Sequence, residues 1–176
     1  MQRLFKLHVV CLLLASAVPT PADEAGRYMQ TSDYLDSAFP SGQPDVSTVW
    51  LTGELRDAVE DALGHRYDAL RVRYWYDGAT SAWVLDEIGK EMPITIGVTI
   101  RDDSIRNIQV LEFRESRGWE VRYPFFTDQF RDARMDPQGE LDRAIDGITG
   151  ATLSVGAMTR VAKAALVLHA NIKQQG

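Results

Sequence analysis

Between residues 70 and 113 apolar side chains recur at every second position, and this alternation commits the chain to an antiparallel sheet more firmly than any other feature it has. Ile94, Ile96, Val98 and Ile100 define one face of the clearest strand, with Thr95, Gly97 and Thr99 on the other. Leu70, Val72, Tyr74 and Tyr76 alternate in the same way with Arg71, Arg73 and Trp75. Asp77-Gly78 is a turn signal, and Ser81 to Leu85 reads as the returning strand. Asp102-Asp103-Ser104 turns the chain again into Ile105 to Phe113, whose alternation is less regular. Period-two runs joined by short turns describe a meander of antiparallel strands.

Helical spacing brackets this region. Leu51, Leu55, Val59 and Leu63 recur every four residues, so Thr52 opens a helix to about Ala62 and Gly64 stops it. From Ser154, a good N-cap, to about Lys173, the residues Val155, Met158, Val161, Ala165 and Leu168 share one helical face. The fold class is α+β: an antiparallel, half-barrel-like meander with one helix before it and one at the C-terminus. Trp119 to Phe126 is expected to hold one more short strand, and Gln138 to Ala144 a turn of helix.

The N-terminus follows different rules. Arg3 and Lys6 precede an apolar run from Leu7 to Val18, then small residues and prolines up to Ala22. This is the pattern of a secretory signal peptide, and the run is short for a membrane span. The expected organisation is a signal peptide over residues 1–22, an irregular arm over 23–50 and one domain over 51–176, with a periplasmic location. An uncleaved anchor is the alternative.

Removing residues 1–22 takes away Arg3, Lys6 and the single cysteine, Cys11, and moves the net charge from −6 to −8. Such a chain has no thiol for disulfides, thiolate catalysis or iron–sulfur clusters. His65 and His169 remain, far apart in sequence, which argues against a histidine metal site. The acidic balance argues against a nucleic-acid partner. Any redox chemistry must come from an organic cofactor.

The segment Asp146-Gly147-Ile148-Thr149-Gly150-Ala151-Thr152-Leu153-Ser154 precedes the last helix. It supplies three hydroxyls and two glycines at a helix N-terminus, where free N–H groups and the helix dipole favour an anion. By spacing alone it reads more often as a tight turn with a cap.

Asp146 to Thr152 resembles the flavinylation motif of the FMN-binding domain family, whose members include periplasmic subunits of the sodium-pumping NADH:quinone reductase and of the Rnf complex. The family pattern runs Asp-x-x-Ser/Thr-Gly-Ala-Thr/Ser before a helix. The resemblance implies FMN joined through its phosphate to Thr152, placed there by a flavin transferase that uses FAD and Mg. It extends over residues 68–170. Glu115-Ser116-Arg117-Gly118 lies where many members have Glu-Thr-Pro-Gly, a loop near the flavin, and Arg117 with Trp119-Glu120 departs from that pattern.

The resemblance thus assigns cofactor contacts to Asp146, Thr149, Gly150, Ala151, Thr152, Leu153, Ser154, Glu115, Ser116, Gly118 and Trp119. In the family Asp146 matters for recognition by the transferase; capping the turn at Gly147 is its other reading. Trp119, Tyr123, Phe125 and Phe126 either stack on the isoalloxazine or fill the core. The implied function is an exported electron carrier between a membrane donor and an extracytoplasmic acceptor, with membrane or periplasmic redox proteins as partners. A flavin-dependent reductase of a small molecule, and a cofactor-free secreted domain, are the competing readings.

Overall fold

The computed structural model describes residues 26–175; the expected signal peptide falls outside them. Five strands form one antiparallel sheet in sequence order: β1 (Asp45–Trp50), β2 (Arg71–Tyr76), β3 (Thr80–Ile88), β4 (Pro93–Arg101) and β5 (Ser104–Phe113). Helix α1 (Thr31–Ala38) precedes β1, and α2 (Gly53–Leu63) separates β1 from β2. A short α3 (Pro124–Thr127) and the long α4 (Thr152–Gln175) follow the sheet. The α+β meander expected from the sequence is present. None of the described helices is long and apolar enough to cross a membrane.

The main core lies between one sheet face and α2 with α4. Ile94, Ile96, Val98 and Ile100 are fully buried there against Ala157, Met158, Val161 and Leu168. The uneven alternation of β5 has a structural cause. Register shifts at Thr95/Ile96 and Thr99/Ile100 bring Phe113, Val110, Ile108 and Ile105 opposite the four buried β4 residues. Each bulge inserts one residue and restores the inward set, so spacings of two and three coexist in one strand.

The opposite face is covered by α1. Tyr34 is fully buried against Ala82 and Leu111, and its hydroxyl meets Thr99 Oγ1 at 3.0 Å. A side chain at residue 97 would strike the Tyr34 ring, so Gly97 is what allows the helix to lie against the strand.

Four expectations need correction. The described part of the arm, residues 26–50, is more regular than expected: beside a helix, α1, it holds a strand, β1. The sequence hides β1 because only Val49 of its six residues is buried, and pairing with β2 creates the strand. Residues 119–126 form a 3₁₀ turn (Trp119–Arg122) and α3 instead of a strand. Val121, Phe126 and Phe130 supply the buried contacts at helix-like spacing, and Pro124 opens α3, where its missing N–H costs nothing. Residues 138–144 are not helical. Asp136 Oδ1 accepts from the Gln138 and Glu140 N–H groups, and the turn closes on a Met135–Leu141 bridge. The last helix starts at Thr152, so Ser154 lies inside its first turn rather than capping it.

Candidate functional site

The motif loop is fixed at both ends before the helix begins. The Asp146 N–H donates to Gln129 Oε1 at 2.7 Å, and the Ala151 N–H donates to the Ile148 carbonyl at 2.9 Å. That second bond closes a four-residue turn whose third residue is Gly150, with φ +84°. Turns with positive φ at this position favour glycine. The first bond of α4 runs from the Val155 N–H to the Ala151 carbonyl, 2.9 Å. The N–H groups of Thr152, Leu153 and Ser154 therefore have no partner within the helix, and an alanine side chain cannot cap them.

The motif's three hydroxyls end in different environments. Ser154 is 4% exposed, and its Oγ occupies the space that a side chain at residue 118 would need. Thr149 is exposed but lies away from the cleft wall. Thr152 is exposed and lines an open cleft of about 550 Å³.

That cleft joins three segments far apart in sequence: Lys90 from the β3–β4 turn, Glu115 to Arg117 from the loop after β5, and Gly150 to Ser154. Glu115 ties the first two together. Its Oε1 accepts from the Lys90, Glu91 and Met92 N–H groups at 2.5, 2.6 and 2.9 Å. Desolvation works to raise its pKa, but these three hydrogen bonds and the Lys90 charge outweigh it and hold the carboxyl below its ordinary range. Glu115 thus staples the β3–β4 turn, a role beyond the cofactor contact that the resemblance assigns to it.

Gly118 ties the second segment to the third. It has φ +88°, and a side chain there would strike Ser154 Oγ and meet the Ala151 methyl. Among the expected contacts, Thr152, Leu153, Ser154, Ala151, Gly150, Glu115 and Ser116 come together on the wall, while Gly118 buttresses it from behind. Asp146, Thr149 and Trp119 do not line it.

Trp119 is 39% exposed and meets Tyr123 edge-on at 5.7 Å, with the Arg122 guanidinium over both rings. Phe126 is core, whereas Tyr123 and Phe125 are exposed. Lys90 and Arg117 are the cations of the cleft. Lys90 escapes sequence reasoning because nothing in a Gly-Lys-Glu turn points to residues about 60 positions ahead of it.

A second polar cluster invites a catalytic reading and fails it. Ser81 Oγ meets His169 Nδ1 at 2.8 Å, and Asp103 lies 3.5 Å from His169 Nε2. Ser81 is fully buried and already accepts from Trp83 Nε1, so its remaining proton goes to Nδ1. A nucleophile needs access to substrate, which this fully buried hydroxyl lacks. Burial, the dominant influence, lowers the His169 pKa, and the ring serves as a neutral core group.

Residues 89–167 match the FMN-binding domain family. A solved structure of one of the subunits of the Na(+)-translocating NADH-quinone reductase, from Parabacteroides distasonis, is similar to this chain at 18% identity, covering 79% of this chain and 84% of that one, with a TM-score of 0.49. No curated protein matches the chain.

Proposed function

We propose that this protein, whose residues 89–167 match the FMN-binding domain family, is an exported electron carrier with FMN esterified through its phosphate to Thr152. The observation that carries the reading is selective: of the three motif hydroxyls, Thr152 alone is both exposed and on the cleft wall. The site fits the group in other respects. Three uncommitted N–H groups face the attachment point, and Lys90 and Arg117 give the cleft a positive wall. A phosphodiester carries one negative charge there, which a helix N-terminus stabilises by about 0.3–1 kcal/mol.

Attachment is a phosphoryl transfer. The Thr152 Oγ bonds to the phosphorus of the FMN half of FAD, the phosphoanhydride breaks, AMP leaves, and the hydroxyl proton departs with it or to a base of the transferase. When bound, FMN supplies one- and two-electron chemistry. The chain's own residues hold and orient. Glu115 fixes the β3–β4 turn, Gly118 lets its loop close on the helix, and Leu153, 53% exposed, offers an apolar surface beside Thr152.

Among the described residues, Glu115 is the only carboxyl lining the cleft, and it is committed to backbone N–H groups, which supports a carrier over a reductase with its own acid–base machinery. Export rests on the leader pattern of residues 1–22. Membrane or periplasmic redox proteins are the proposed partners, and a flavin transferase the maturation factor.

The test is intact mass after co-expression with a flavin transferase, FAD and Mg. Wild type gains one FMN less one water, and Thr152→Ala gains nothing while melting cooperatively. An unmodified wild type refutes the covalent reading, and flavin retained by Thr152→Ala moves the attachment site.

A further inference from the structure

Helix α4 carries a glycine in its interior, Gly156, one turn after Thr152. Glycine is disfavoured there relative to alanine, and its φ is not one that excludes a side chain. Arg160 lies one turn further on, so Thr152, Gly156 and Arg160 share a helix face. The Arg160 guanidinium leans back toward the N-terminus, as helical side chains do, and lies over the glycine. A Cβ at residue 156 would stand 3.1 Å from its Nη1.

The guanidinium is held in place. Nε and Nη2 donate to Glu87 Oε1 at 3.0 and 2.7 Å, and Nη2 also donates to the Ile88 carbonyl at 3.0 Å. The Glu87 side chain is 2% exposed, so this is a buried carboxylate aiming a half-exposed cation. Among the described residues, Nη1 makes no hydrogen bond. Ile88 lies two residues before Lys90, so the wall that fixes Arg160 leads directly into the cleft.

We infer that Arg160 is a further cofactor-binding residue, whose Nη1 edge reaches across the notch left by Gly156 to the anionic oxygens of the phosphodiester on Thr152. Residues four apart on a helix have Cβ atoms about 5–6 Å apart. A phosphate on the Thr152 hydroxyl thus extends toward a guanidinium already lying over the next turn. Arginine suits the task because its planar fork binds the Glu87 carboxylate on one edge and leaves the other for a phosphate. This rests on the covalent attachment proposed above.

The experiment follows two readouts in full-length protein: the rate of FMN gain by intact mass under transferase and FAD, and the ³¹P resonance of the loaded ester. Arg160→Met should slow loading about tenfold, the loss expected for one charge-assisted hydrogen bond, and should shift the resonance. Arg160→Lys should restore part of both. Gly156→Ala keeps the arginine and favours the helix, so it should melt higher than wild type while its methyl fills the notch, slows loading and shifts the resonance. If Arg160→Met does not fold, because Glu87 loses its partner, Gly156→Ala decides by the same two readouts. Wild-type rates and an unmoved resonance in the folded variants overturn the role of Arg160 and leave Thr152 attachment standing. A wild type that never gains FMN overturns both.

Discussion

Replacing Gly118 by alanine tests whether the loop after β5 and the start of α4 form one rigid unit. Two costs add. Alanine at φ +88° is strained by about 1–2 kcal/mol. The new methyl would also occupy the space of Ser154 Oγ in a packed region, an overpacking cost of about 1–3 kcal/mol. The sum is about 2–5 kcal/mol, and a domain of this size loses about 2–4 °C in Tm per kcal/mol.

Gly64→Ala is the matched control. Gly64 has φ +74° and open space around its Cβ position, so it carries the first cost without the second. Thermal unfolding should rank Gly118→Ala below Gly64→Ala. The double variant Gly118→Ala/Ser154→Ala should regain part of the difference, because the hydroxyl is the atom struck hardest while the Cβ at residue 154 remains close. Equal melting temperatures for the two single glycine variants, or no recovery in the double, would refute the contact between loop and helix.

Ser154→Ala alone should load FMN at the wild-type rate, since a hydroxyl buried under Gly118 cannot reach FAD; loss of loading by intact mass contradicts this. Asp146→Ala should slow loading without altering Tm, because its carboxylate makes no hydrogen bond or ion pair among the described residues; a wild-type loading rate removes it from transferase recognition. His65 should stabilise the fold in acid. Its Nδ1 faces the Arg66 carbonyl at 2.7 Å and its Nε2 the Glu87 carboxylate at 3.0 Å, so only the protonated ring satisfies both. The Arg66 carbonyl first, and Glu87 with it, raise its pKa against desolvation. A raised folded pKa gives stability that is complete below the unfolded value of 6.5 and lost as pH rises through the folded one. His65→Ala should therefore lower Tm at about pH 5 and converge with wild type by about pH 9; a gap that widens with pH contradicts the sign.

Alternation and spacing are local properties, and they carried what is local in this protein. Ile94 to Ile100 declared a strand because each side chain's face follows from its position. Leu51 to Leu63 declared a helix for the same reason, and Gly150-Ala151-Thr152 declared a turn before a helix. Tertiary structure decided everything that depends on a partner distant in sequence. Strand β1 exists because β2 offers it hydrogen bonds, although only one of its residues enters the core. The aromatic stretch from Trp119 abandoned the sheet because Val121, Phe126 and Phe130 bury better along a helical turn.

The same division runs through the site. The motif pattern singled out Thr152 among three hydroxyls, but not how exposed each would be. The fold buries Ser154 beside Gly118, more than thirty residues away, and leaves Thr152 exposed on the cleft wall with Thr149 off it. Glu115 is expected as a cofactor contact, whereas in the fold three N–H groups of the β3–β4 turn close around it. Arg160 is a helix cation whose direction is fixed by Glu87, 73 positions earlier. A side chain's type is written in the chain, but its exposure and aim are set by atoms that only folding brings within a few ångströms.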